Sequence, residues 1–492
     1  MALVIKNNMS AVNTLNKLDA NAAQMAKNLE KVSTGMKINS AGDDASGYAI
    51  SEKMRVQARS LGQDDMNAQN AISLLTVAEG AVQSTVDILR HMKEKAIDAA
   101  NDTNSDEDRA IIQKEIDQNI SQINENANVS YNGIVMLDGS RNDAVVAGGS
   151  YTHMTNMSLS ADTTLDKPIT ELLDRSNNAV GIQSDDTITV SWVKDGMTKS
   201  VSYTPLVWSE SRVNIDRTVF PPKITHVTIQ HPHTLETILS KNKTISDDME
   251  WVKYSDHNND YSYIGTDGSG DEVRTVGGEN GVTIKAKEPG VAGQLAGLTI
   301  SISDSQGQPR RAANAILDNF SETIRGENQS EDNALVFQIG TKANQAIKAG
   351  FTDMRAAALG LEALGAVSEQ ASTTTNTEFG ITVTKQYSPS VTLNVSTQLA
   401  ANTAVNVLDN ALSKALNQQT KIGAETSRLE YTSANITTAA ENTQASESVI
   451  RDADMAKEQM NYTKSSILTQ ATQAMLAQAN QNSSQVLSLL QG

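Results

Sequence analysis

Residues 54–96, MRVQARSLGQDDMNAQNAISLLTVAEGAVQSTVDILRHMKEKA, carry an apolar side chain at every seventh position: Met54, Leu61, Ala68, Leu75, Val82, Leu89 and Ala96. A seven-residue repeat keeps one seam of a helix turned toward a partner helix along its whole length. A second series lies near the other end: Leu408, Ala415, Ile422, Leu429, Ile436, Thr443 and Ile450, with one polar member. No proline occurs before Pro168 or after Pro389, so nothing interrupts a long helix at either end. A chain with such arms at both ends and a different middle reads as a packing element, with its function in assembly.

The arms extend beyond these seams. Ile5, Met9, Val12, Leu15, Leu18, Ala22, Met25, Leu29, Val32 and Met36 follow one another in steps of three and four, one apolar stripe of a first helix. INSAGDDASG breaks it, and Asp43 and Asp44 are placed to cap a second helix over about 45–100. NDTNSDED ends that helix, and Ile112, Ile116, Ile120 and Ile123 mark the face of a third. SYNGIVMLDGS reads as turn, short strand and turn. Toward the other end, a heptad helix from about 400 pauses near RDAD and restarts as a last helix carrying Met460, Ile467, Leu468, Ala471, Met475, Leu476, Val486, Leu487 and Leu490.

The middle differs. All three tryptophans and all five phenylalanines lie between Trp192 and Phe379. Thr187–Val193 alternates as a strand, Lys194-Asp195-Gly196 turns, and Val201 and Tyr203 return. VTIQ after His226, GVTIKAK and LTISIS read as further strands, and a helix is expected from His233 to about Trp251. In the stretch that follows, ALVFQIGTKANQ reads as strand and turn, TDMRAAALGLEALG as a short helix, and EFGITVTKQYSPSVTLNVST as a hairpin or two strands. The fold class expected is α+β and multidomain: long antiparallel helical, coiled-coil arms formed by both termini, with a β-rich domain inserted between them.

Composition excludes several function classes. The formal charge of -18 provides no basic stripe for nucleic acid or an anionic membrane surface. With no cysteine there are no disulfides, thiolate metal sites or cysteine nucleophile. No stretch approaches the roughly 18 apolar residues of a transmembrane helix, and the first residues lack the pattern of a cleaved secretory signal. His231-Pro232-His233 with Glu236 does not have the HExxH spacing that puts two histidines on one helical face. GTDGSGDE, from Gly265, lacks the spacing of a calcium loop and reads as a polar turn. No catalytic, metal or cofactor site is therefore expected, and the chain is read as not an enzyme.

The outermost segments are poor in large residues, and isolated helices of that kind are marginal in water. They are expected to be disordered in a lone subunit and to order when neighbouring copies supply the missing surface. A head-to-tail contact that does not close then gives a helical filament. Periodicity alone leaves a self-contained bundle and a coiled-coil dimer open as well.

The motifs narrow this. MALVIKNNMSAVNTLNKLDANAAQMAKNLEKVSTGMKINSAGDDASGYAIS, NAQNAISLLTVAEGAVQ and ENANVSYNGIVMLDGS resemble the N-terminal region of bacterial flagellins. IGAETSRLEYTSANITTAAENTQASESVIRDADMAKEQMNYTKSSILTQATQAMLAQANQNSSQVLSLLQG resembles their C-terminal region. The resemblance covers about the first 142 and the last 95 residues, plus ALVFQIGTKANQ and DMRAAALGL; 144–330 resembles nothing nameable. It implies the subunit of a secreted, extracellular motility filament, exported unfolded through the flagellar type III apparatus, with residues 1–42 and 455–492 as a terminal coiled coil, 43–143 and 331–454 as a helical bundle with a hairpin, and 144–330 as the inserted, surface-exposed domain. It implies as partners the chain itself, an export chaperone at the C-terminal segment, filament-cap and hook-junction proteins, and Toll-like receptor 5. The alternatives are a hook-associated junction protein, or a filament subunit whose insertion is enzymatic or adhesive.

Filament packing is assigned to Ile5, Met9, Val12, Leu15, Leu18, Met25, Leu29, Ile467, Leu468, Met475, Leu476, Val486, Leu487 and Leu490. Bundle seams are assigned to Met54, Leu61, Leu75, Val82, Leu408, Ile422, Leu429, Ile436 and Ile450. The receptor-activating motif of flagellins, LQR[VI]REL, is matched by Leu89-Arg90-His91-Met92-Lys93-Glu94-Lys95. His91 stands where the motif has arginine and Lys95 where it has an apolar residue. Histidine lacks arginine's fixed charge and five-donor fork, so binding with weak activation is expected.

Overall fold

A computed structural model describes residues 8–491 apart from 147, 161–162, 164–166, 195, 205–206, 217–222, 233, 235–242, 253–262, 275–280, 364–371, 379–380 and 389–391. Helix α1 (Met9–Thr34) starts at Asn8, whose side chain accepts from Ala11 N, and stops at Gly35 in the left-handed conformation. Helix α2 is Ala45–Ala99. Asp44 caps it, Oδ1 accepting from Ser46 N and Gly47 N at 3.0 Å each, while Asp43 closes the turn before it by accepting from Asn39 N and Ser40 N. Helix α3 (Asp106–Ala127) opens with a reciprocal capping box between Ser105 and Asp108.

A two-residue turn at Asn132-Gly133, both with positive φ, joins strands β1 (Ser130–Tyr131) and β2 (Ile134–Val135). The middle then supplies β3 (His153–Asn156), β4 (Thr187–Lys194), β5 (Met197–Thr204), β6 (Val207–Asp216), β7 (Lys223–Pro232), helix α4 (Lys243–Asp248), β8 (Met249–Trp251), β9 (Tyr263–Thr266), β10 (Glu272–Arg274), β11 (Val282–Ala286), β12 (Leu295–Ser303), helix α5 (Arg311–Leu317) and β13 (Phe320–Ile324). The chain returns through β14 (Leu335–Gln338), β15 (Ala346–Ala349), β16 (Ser372–Glu378) and β17 (Ile381–Ser388) to helices α6 (Gln398–Arg451) and α7 (Met455–Gln491).

Two larger sheets enclose the core of the middle, in orders β13-β3-β11-β8 and β12-β4-β5-β17-β16. All pairings given for them are antiparallel. Trp192, Val190, Ile188, Leu298, Ile300, Ile284 and Met154 are buried between them. The Trp192 indole nitrogen donates to Asp248 Oδ2 at 3.0 Å, and Lys194 and Lys199 reach the same carboxylate at 3.2 and 3.0 Å, so this buried charge is compensated. The second sheet takes β16 and β17 from the sequence segment that precedes α6, with β17 running beside β5 from Thr382↔Thr204 to Ser388↔Thr198. The sheet thus joins strands from both sides of the 331–371 stretch. At Gly297, φ is +58°, and a Cβ would stand 2.6 Å from Thr403 O; glycine lets β12 approach the backbone of α6.

Three local expectations differ from the structure. The described part of TDMRAAALGLEALG, residues 352–363, forms turns and bends rather than a helix. Tertiary hydrogen bonds override its alanine content: Met354 N donates to Leu137 O, Asn124 Oδ1 accepts from Ala356 N, and Gly360 takes φ +80°. Of the helix expected from His233 to about Trp251, the described residues show α4, with 233 and 235–242 outside them and β8 where its end was expected. Finally, among the described residues α2 is long and apolar enough to cross a membrane by length and composition, although none was expected. Its Leu74, Leu75, Ala78, Val82, Val86 and Leu89 are buried, as in the core helix of a water-exposed bundle.

By contact the chain divides into two compact units. One comprises Met1–Ala71, Gln338–Ile347 and Arg428–Gly492; the other comprises Ile72–Phe337 and Lys348–Ser427.

Candidate polymerisation surfaces

In the first unit α1 and α7 lie antiparallel along their length. Three hydrogen bonds set their register: Asn8 Nδ2 to Ala479 O at 3.1 Å, Asn21 Nδ2 to Thr472 Oγ1 at 3.0 Å, and Asn28 Nδ2 to Ser465 Oγ at 3.0 Å. Among the described residues, the fully buried side chains of this helix pair are Asn28, Ser465 and Thr469, all polar. Leu18, Met25 and Leu476 are half-buried beside them. Sequence reasoning missed this seam, although its signal was present: Thr14, Asn21 and Asn28, like Ser465 and Thr472, are spaced by sevens.

Other large apolar side chains of the pair are left exposed. On α1 these are Met9, Val12, Leu15 and Leu29. On α7 they are Met455, Met460, Ile467 (61% exposed), Leu468 and Met475 (65%). The single stripe read on the first helix is therefore two: one half-buried in the seam, one open. Ile5 lies outside the described residues, as do the side chains of Val486, Leu487 and Leu490.

The heptads of α2 and α6 behave in the opposite way. Leu61, Ala68, Leu75, Val82, Leu89 and Ala96 are buried, and so are Leu408, Ala415, Ile422, Leu429 and Ile436. Met54, Thr443 and Ile450 at the far ends are half-buried. Within the first unit, Ser433 Oγ donates to Asp65 Oδ1 at 2.5 Å and Arg451 Nη1 to Glu52 Oε1 at 2.6 Å, pinning α6 to α2. That bond to Arg451 is the main reason the Glu52 carboxyl lies below its ordinary range. Lys37 N donates to Arg451 O and Ala453 N to Gly35 O, so the links between successive helices are themselves paired.

The seven residues matching the receptor motif are divided by the structure. Leu89 and Met92 are fully buried, whereas Arg90, His91 and Glu94 are exposed. His91 Nε2 lies 2.8 Å from Glu115 Oε1 and Lys95 Nζ lies 3.0 Å from Glu115 Oε2; the two bonds, His91's the larger influence, lower the Glu115 carboxyl. Lys93 pairs with Asp409 and Arg90 with Asp87.

Among the described residues no group of three or more acidic or histidine side chains is arranged to hold a metal. Asp267 Oδ1 accepts from Ser269 N and Asp271 N, closing the turn between β9 and β10.

The model of the bacterial flagellin N-terminal helical region matches residues 5–142, and that of the flagellin C-terminal helical region matches residues 405–490. The chain belongs to the bacterial flagellins. A flagellin of Clostridium tyrobutyricum is 29% identical over 97% of this chain and 99% of its own length. The flagellar filament 33 kDa core protein of Treponema phagedenis is 27% identical over 99% of this chain and 100% of its own. Among solved structures, flagellar hook associated protein-3 from Legionella pneumophila aligns over 80% of this chain and 97% of its own at 14% identity, with a TM-score of 0.29. In this flagellin the two matched regions contain α1 to α3 and most of α6 and α7, and the middle sheets lie between them.

Proposed function

We infer that this flagellin is a structural subunit of the bacterial flagellar filament, and that it polymerises through the open apolar stripes of α1 and α7. One observation carries the second clause: the terminal pair buries Asn28, Ser465 and Thr469 and exposes Met9, Val12, Ile467 and Met475. A helix pair with its larger apolar groups turned outward gains most of its hydrophobic burial from further copies. The terminal pair corresponds to residues 1–42 and 455–492, the bundle to 43–143 and 331–454, and the insertion to 144–330, extended by β16 and β17. The insertion faces the medium, and the filament serves motility outside the cell. Export through the flagellar type III apparatus, a chaperone on the C-terminal segment, and cap and hook-junction partners complete the reading.

The test is electron microscopy of purified chain in high salt beside Ile467→Asp/Leu468→Asp. Long helical filaments from the parent and none from the variant are expected; filaments from the variant would refute the stripe. Loss of about forty residues at either end is expected to leave a soluble monomer. The hook-junction reading predicts no long filaments from the parent. An enzymatic insertion predicts turnover in a hydrolase screen of the full chain.

For Toll-like receptor 5, the accessible part of the motif is Arg90, His91 and Glu94. His91 is tied to Glu115 and lacks a guanidinium fork, which supports binding with weak activation. A reporter assay on monomer should show a gain of severalfold for His91→Arg; strong signalling by the parent would end the idea.

A further inference from the structure

Lys414 lies on α6 with 6% of its surface exposed. Its Nζ donates to Ala358 O at 3.0 Å. An ammonium has three N–H donors, and this is its one hydrogen bond among the described residues. It lines a cavity of about 140 Å³ in the second unit, walled by 138–142, 326–330 and 352–358. That volume is roughly four or five waters, the bulk of a two- or three-carbon molecule.

Burial pushes the Lys414 ammonium down to about 8, and Arg325 acts in the same direction. Glu322, Glu327 and Asp353 act in the opposite sense. Two of these acids have cations of their own: Glu322 with Arg325 at 3.1 Å and Asp353 with Arg355 at 2.6 Å. Asp138 also lines the wall, its Oδ1 accepting from Ser140. The cavity therefore joins a buried amine to a wall that carries three carboxylates, Asp138, Glu327 and Asp353, and one further cation, Arg355.

We propose that Lys414 is a carbonyl-reactive amine that condenses in this cavity with small uncharged aldehydes. The Nζ lone pair attacks the carbonyl carbon, a C–N bond forms, and the carbonyl oxygen takes a proton from nitrogen to give a carbinolamine. The C–O bond then breaks, the hydroxyl leaving as water with a proton from solvent. The product is a cationic iminium; the sum is amine, aldehyde and proton giving iminium and water, with no redox change. The product's charge equals that of the ammonium it replaces, which the acidic lining accepts. An aldehyde bearing a carboxylate would add a negative charge beside Asp138, Glu327 and Asp353, where the further cation, Arg355, is already paired with Asp353.

The full chain is incubated at pH 7 with glycolaldehyde and cyanoborohydride, which traps the iminium, and modification at each lysine is read by peptide mass spectrometry. Lowered basicity gives on the order of a hundredfold more free amine than a surface lysine has at pH 7. Lower nucleophilicity and restricted entry reduce the expected lead of Lys414 over exposed lysines such as Lys348 to about tenfold. The lead disappears in guanidinium and shrinks severalfold with glyoxylate in place of glycolaldehyde. Labelling of Lys414 no faster than Lys348 in the folded chain, a lead that survives unfolding, or an equal lead with glyoxylate would overturn the proposal.

Discussion

The α1–α7 pair and the α2 and α6 seams are both written in sevens, and they bury opposite kinds of residue. Along α2 and α6 the repeat carries Leu75, Val82, Leu408 and Leu429 into a finished interior. Along α1 and α7 it carries Asn28, Ser465 and Thr469 inward and leaves Ile467 and Met475 open. Periodicity therefore says that a helix has a partner, and the residue type at the seam says whether that partner satisfies it. The bundle completes its core within one chain. The terminal pair uses polar contacts to hold register, in the manner of a buried asparagine in a coiled coil, and keeps its apolar area for other contacts. The structure shows these ends as paired helices where disorder in a lone subunit was expected. A seam of three amide hydrogen bonds and half-buried Leu18, Met25 and Leu476 gives them only modest intrinsic cohesion.

The sharpest test sets one substitution in each region. Leu429→Ala should lower the stability of the monomer by about 2–5 kcal/mol, through the lost side chain and the cavity it leaves. Ile467→Asp/Leu468→Asp should leave the monomer's denaturation midpoint unchanged while abolishing assembly. Urea titrations and sedimentation of both variants decide it; a destabilised monomer in the second would break the contrast.

A smaller effect is expected from the seam itself. Asn28→Leu with Ser465→Ala removes both partners of one hydrogen bond and substitutes apolar area, so no buried polar group is stranded. Hydrogen exchange of α1 and α7 amides in dilute monomer should slow by roughly tenfold, about 1.4 kcal/mol. Unchanged exchange would mean the polar seam does not limit the pair. Strong protection in the unaltered monomer would remove the premise that the ends are weakly held.

The smallest effect concerns the insertion. Burial raises the Asp318 carboxyl to about 7, against its acceptance of a hydrogen bond from Ile300 N. Its folded pKa lies above its unfolded one, so folding favours the protonated form. This group's stabilisation is complete at about pH 4 and is lost as pH rises toward 7. The insertion's melting temperature should fall by about 3 °C or more over that interval from this group, and Asp318→Asn should flatten the slope. Scanning calorimetry at pH 4, 5.5 and 7 reads it.

Much of the helical architecture was legible because its signals are local: the heptads from Met54 and Leu408, the breaks at INSAGDDASG and NDTNSDED, and the Asn132-Gly133 turn. Long-range choices were not. Nothing near Ser372–Ser388 says that β17 will run beside β5, whose residues lie about 180 positions earlier. The alanines after Asp353 favour helix locally and lose to the hydrogen bonds that Ala356 N and Met354 N donate to Asn124 Oδ1 and Leu137 O. On α1, apolar spacing located the helix but could not separate its two stripes, because Leu15 and Leu18 are equally apolar and only the partner's position tells them apart. Lys414 gave no signal at all, since its surroundings come from three distant stretches of chain.

The β17–β5 pairing carries a temporal consequence. A chain emerging from its N-terminus delivers β12, β4 and β5 well before β16 and β17, leaving the backbone of β5 with an unfilled flank. That flank is closed only once Ser388 has arrived, so this five-stranded sheet is zipped shut late, by the same stretch of polypeptide that leads into α6.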